Sequence, residues 1–112
     1  MTGRFEAVAK VDDVSDGEMV QVVVRGDLVG LYRAGDRFFA IHDVCTHEEA
    51  YLTEGWFEPE DLEVECPLHG SRFNVATGDV RILPATRPVD TFEVRVEGDD
   101  VLVGPRRDRR VM

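Results

Sequence analysis

Apolar residues in this chain alternate with polar ones in short runs that close on a glycine beside an aspartate. No run of ten residues holds a helical period. That pattern confines the chain to short strands joined by tight turns. Phe5, Ala7, Ala9 and Val11 alternate with polar or small neighbours and predict a first strand. Residues 19–24 and 28–32 flank Arg25-Gly26-Asp27, where Gly-Asp signals a hairpin, and Ala34-Gly35-Asp36 turns into Phe38-Phe39-Ala40-Ile41. Toward the other end, Phe92, Val94 and Val96 alternate with polar neighbours, and Gly98-Asp99-Asp100 turns that strand into Val101-Leu102-Val103. The best helical candidate, residues 11–16, is one turn at most. With 43% apolar residues among 112, the chain supports a single compact domain. The class expected is all-β, a small sandwich or barrel.

Residues 43–90 break this rhythm. They hold both cysteines, two of the three histidines, the only tryptophan and four of the five prolines. The reading is a framework of about 1–42 and 91–104, an inserted subdomain of about 43–90, and an Arg-rich tail, 105–112, expected to fray.

The formal charge of −10 combines 13 basic with 23 acidic residues. So acidic a body repels nucleic acid and anionic lipid, and it suits either a basic protein surface or plain solubility. No apolar run reaches the roughly 18 residues of a membrane helix, and the N-terminus has no stretch of signal-peptide type. The cytoplasm is therefore expected, a compartment in which two cysteines more often bind metal than pair.

Cys45-Thr46-His47 and Cys66-Pro67-Leu68-His69, separated by 18 residues, each bring one thiol and one imidazole. Zinc fingers usually take two like ligands from one element. Mixed loops suit a pair of inequivalent irons, one holding both thiolates and the other both imidazoles, which is the ligand set of a Rieske [2Fe–2S] centre. A zinc site built from the same four residues is the sharpest competing reading, and a Cys45–Cys66 disulfide is another. His42 reads as an ordinary strand-end residue.

The run Cys45-x-His47-x4-Leu52-x2-Gly55-x10-Cys66-Pro67-x-His69-Gly70 resembles the cluster signature of Rieske proteins. Thr77-Gly78, Pro84-Ala85 and Pro88 continue the pattern of soluble Rieske-type ferredoxins, and the similarity extends from about Phe5 to Val103. The resemblance implies a Rieske-like fold and one [2Fe–2S] cluster per chain, held by Cys45, His47, Cys66 and His69. It also implies a carrier passing single electrons from a flavin-dependent ferredoxin reductase to the Rieske terminal oxygenase of an aromatic-ring dioxygenase, in aromatic hydrocarbon catabolism. Once the cluster takes two histidines, only His42 is left for a mononuclear iron, and no glycine-rich nucleotide loop is present. A carrier is thus expected, and not an enzyme. The alternatives are a small Rieske subunit of another reductase, such as a nitrite reductase, and a zinc-stabilised β interaction module.

High-potential respiratory Rieske proteins carry an extra disulfide and a tyrosine near the cluster. The corresponding positions here are Ala50, Leu68 and Phe73. Ser71 matches a serine of that type; either its hydroxyl donates to a bridging sulfide or it serves the turn after Gly70. Acidic Glu48, Glu49 and Glu54 oppose reduction, which places the potential low within the Rieske range of roughly −150 to +300 mV. Gly70 and Gly78 are expected at positive φ or close to a sulfide, and Pro84 in a third loop over the cluster. Leu52, Trp56 and Phe73 are expected to pack around the loops. The loop tips should present an apolar patch around His47 and His69, ringed by the three glutamates.

Overall fold

The structure is a computed structural model that describes residues 4–47 and 49–107. Period-two alternation builds six framework strands: β1 (Glu6–Lys10), β2 (Met19–Val24), β3 (Asp27–Ala34), β4 (Arg37–His42), β9 (Thr91–Glu97) and β10 (Asp100–Arg106). They form one antiparallel sheet in the order β1-β10-β9-β4-β3-β2. The β2–β3 turn is Arg25-Gly26, both at positive φ, so Asp27 already opens β3. Arg25 also joins the two ends of the sheet, donating to the carbonyls of Arg4 at 2.6 Å and Gly104 at 2.7 Å. The helical candidate reduces to a 3-10 turn, Val11–Asp13.

The middle of the chain forms a second antiparallel sheet, β5 (Trp56–Glu58), β6 (Glu63–Glu65), β7 (Arg72–Asn74) and β8 (Val80–Ile82), in sequence order. It lies against the outer face of the framework. Leu31 and Ala40 point into the framework core with Val24, Val29, Phe92, Val101 and Val103. Their neighbours Tyr32 and Ile41 point the other way, into a second core with Leu52, Val64, Phe73, Val75, Ala85 and Val89. β3 and β4 are thus covered on both faces. Tyr32 meets Phe57 of β5 edge-on at 5.0 Å, which locks the two sheets together.

Two expectations need correction. Residues 105 and 106 do not belong to a frayed tail, since β10 runs on to Arg106, whose guanidinium bonds Asp27 at 3.1 Å and Asp90 at 3.0 Å. A register shift between Val103 and Arg106 lets the strand pass Pro105, which has no N–H to offer the ladder. Of the tail, residues 108–112 lie outside the described residues. Trp56 does not pack around the loops; it stands 58% exposed, because Phe57 takes the inward side of β5.

Candidate metal centre

The first ligand loop leaves β4 at His42 and returns through a 3-10 turn, Leu52–Glu54. Cys45 N–H donates to Ala50 O at 2.9 Å, and Val44 bridges Tyr51. His47 N–H points at Cys45 Sγ across 3.4 Å. Asp43 anchors the loop's base. Its buried carboxylate accepts from Gln21 Nε2, Thr53 N–H and Thr53 Oγ1. No sequence pattern marked this residue.

The second ligand loop is the turn of the β6–β7 hairpin. Cys66 N–H donates to Ser71 O at 2.7 Å, and His69 and Gly70 both take positive φ to close the turn. A left-handed residue that is not glycine is uncommon, and here it is a ligand candidate. Gly55 makes the hairpin's approach possible: a Cβ there would fall 1.8 Å from Glu65 O, on the strand running into Cys66. Beside the same cysteine, Arg72 binds Glu65 Oε1 through two nitrogens at 3.2 and 3.0 Å and reaches Glu63 at 3.4 Å. That pairing offsets carboxylates adjacent to the site.

The Pro84 loop is the third wall. Ala85 N–H donates to Ser71 Oγ at 2.9 Å, and Thr46 Oγ1 donates to Arg87 O at 2.6 Å, which ties this loop to both ligand loops. Val89 N–H donates to Gly78 O at 2.9 Å; Gly78 sits at φ +81°, with no room for a Cβ against Val89 O. Gly70 and Gly78 therefore both meet the expectation of positive φ.

Both cysteines belong to the second core, Cys45 at 5% and Cys66 at 0% exposure. His47 and His69 are exposed, and so are Leu68 at 45% and Leu83 at 69%. Leu52 and Phe73 are fully buried, as packing residues should be. Glu49 and Glu54 are exposed, whereas Glu48 lies outside the described residues. A [2Fe–2S] cluster asks for two protein donors per iron, and the donor set here, two buried thiols and two outer imidazoles, fits that demand.

In the core that also holds the two thiols, the Tyr32 hydroxyl is buried with no hydrogen-bond partner among the described residues. Burial, and then the Asp43 carboxylate, push its ionisation well above the ordinary phenol range.

Known proteins resemble this chain in sequence and in fold. Residues 4–93 match the family described as Rieske [2Fe-2S] domain. The chain is 41% identical over 93 residues to the 3-phenylpropionate/cinnamic acid dioxygenase ferredoxin subunit of Escherichia coli K12, spanning 83% of this chain and 86% of that one. The fold superposes on the ferredoxin of carbazole 1,9a-dioxygenase from Nocardioides aromaticivorans IC177 with a TM-score of 0.89 and 43% identity, covering 92% of this chain and 99% of the other. A ferredoxin solved in complex with its oxygenase, again of carbazole 1,9a-dioxygenase, matches with a TM-score of 0.82 and 38% identity, over 90% of this chain and 93% of that one.

Proposed function

This chain belongs to the Rieske [2Fe–2S] domain family, and on that premise we propose that it is the one-electron carrier between a flavin-dependent reductase and the terminal oxygenase of an aromatic-ring dioxygenase. It is a ferredoxin component and not itself a catalyst. The observation that carries the reading is the burial gradient across the four donors. Cys45 and Cys66 sit in the core, and His47 and His69 stand at the surface. When bound, the cluster supplies a reversible one-electron couple.

The residues of the chain do the rest. The two buried thiols would hold one iron, and the two exposed imidazoles would hold the other, at the end a partner can approach. Leu68 and Leu83 give that end an apolar rim, with Glu49 and Glu54 exposed on the same loop system. A small apolar contact steered by charge suits an encounter that must form and dissolve at each electron. No helix among the described residues is long and apolar enough to cross a membrane. We expect the carrier to work in the cytoplasm, where both thiols stay reduced until they take iron.

The test is reconstitution. Purified protein should be red-brown, give a Rieske EPR signal on reduction, and restore turnover of an aromatic substrate when mixed with reductase and oxygenase. A colourless protein that retains zinc would sink the reading.

A further inference from the structure

Asp43 is fully buried two residues before Cys45. Its Oδ2 accepts from Gln21 Nε2 and from Thr53 Oγ1, each at 2.7 Å, and its Oδ1 accepts from Thr53 N–H at 2.9 Å. The backbone is pinned as well: Asp43 N–H donates to Leu28 O at 2.9 Å, and Asp43 O accepts from Leu52 N–H at 2.7 Å. One side chain thereby joins the entry of the ligand loop to its exit and to β2.

Every side chain that bonds this carboxylate is neutral, and no ion pair reaches it among the described residues. A buried carboxylate without a cation is a costly way to hold a loop. Asparagine would hold it equally well. The Gln21 amide and the Thr53 hydroxyl can each donate or accept, so both could turn to suit an amide nitrogen in place of Oδ2. The negative charge is therefore surplus to the structure. Its field already reaches Tyr32, which shares a core with both cysteines.

We propose that Asp43 is a positioning residue with a second duty, in which its buried charge biases the cluster toward the oxidised form and so makes the reduced carrier a readier donor. A fixed negative charge in a poorly screened interior disfavours the arrival of an electron nearby. The proposal rests on the cluster reading given above. Through its ties at Thr53 and Leu52, Asp43 also fixes the loop that carries Cys45 and His47.

The experiment compares midpoint potentials of the cluster-loaded protein, followed by EPR, in wild type, Asp43→Asn and Thr53→Val. Asp43→Asn should keep the Rieske line shape and favour reduction by about tenfold, which is ~59 mV for one electron. Thr53→Val removes a donor but keeps the charge, so its smaller shift should run the opposite way. Two variants that merely loosened the loop would shift together. Equal potentials for Asp43→Asn and wild type, or shifts of the same sign in both variants, would overturn the proposal. If Asp43→Asn failed to load, Thr53→Val would decide alone, with a lowered potential in support and an unchanged or raised one against. A wild type lacking any Rieske signal would instead defeat the cluster reading itself.

Discussion

Ala85 donates its backbone N–H to Ser71 Oγ across 2.9 Å, and both residues are fully buried. Ser71 thus serves the backbone through its oxygen, while its own O–H remains to point elsewhere in the site. The two roles expected of this serine are compatible, because a hydroxyl accepts and donates at once.

Ser71→Ala should therefore act twice. It leaves the buried Ala85 N–H unpaired, which costs about 1–3 kcal/mol of stability, measurable by denaturant melts. It should also lower the midpoint potential by removing a donor to the sulfide. A lost melt with an unmoved potential would confine Ser71 to its bond with Ala85.

His47→Ala and His69→Ala should each abolish the Rieske EPR signal, since an iron missing one imidazole admits water and loses the cluster. Exposed side chains contribute little to the core, so both variants should still show wild-type β-sheet circular dichroism in the metal-free state. An unchanged signal in both would refute the ligand assignment.

Phe73 is fully buried in the core that contains Cys45 and Cys66. Phe73→Tyr places a hydroxyl in that core, and it should raise the midpoint potential by donating to a sulfur. A redox titration reads this directly. A destabilised protein of unaltered potential would show that the hydroxyl falls short.

Tyr32→Phe removes a buried hydroxyl that has no partner among the described residues, and it should stabilise the fold by about 1 kcal/mol at neutral pH. The pH dependence follows from the raised ionisation of this phenol in the folded state. Below about pH 10 both states keep the proton, and no pH dependence arises. Above it the unfolded chain loses its proton first, so the folded state binds more protons and stability falls as pH rises. That part of the alkaline decline should be missing from the variant, as urea melts between neutral and alkaline pH would show.

Reduction by the partner reductase should slow as salt rises, and Glu49→Lys should slow it at low salt without changing the cluster spectrum. Stopped-flow traces indifferent to both would remove the electrostatic part of docking and leave the ligand assignment standing.

The candidate ligand set stands out in the sequence because each loop carries its thiol and imidazole within four residues, so local spacing alone suggests the chemistry. The framework was legible for a similar reason, since Gly26, Gly35 and Gly98 mark two-residue turns where positive φ is needed. β5, β6, β7 and β8 were not read, because three residues are too few to display an alternation. Asp43 was invisible on other grounds. Its burial depends on Gln21 and Thr53, which are 22 and 10 residues away, and a single aspartate beside a strand end looks like any turn residue. Trp56 misled by composition, as a lone tryptophan near the ligands reads as packing until the strand's facing is known.

The pair of staples from the Pro84 loop, Ala85 to Ser71 and Arg87 to Thr46, has a consequence for speed. A carrier whose donor atoms must travel between charge states spends activation energy on nuclear rearrangement at every turnover. Here the loops are braced against one another before any electron arrives, with the thiols fixed in close-packed core. Preorganised groups of this kind incur little reorganisation at the moment of transfer. Electron hopping should accordingly be quick once a partner is in place, which leaves the coming and going of partners to set the pace.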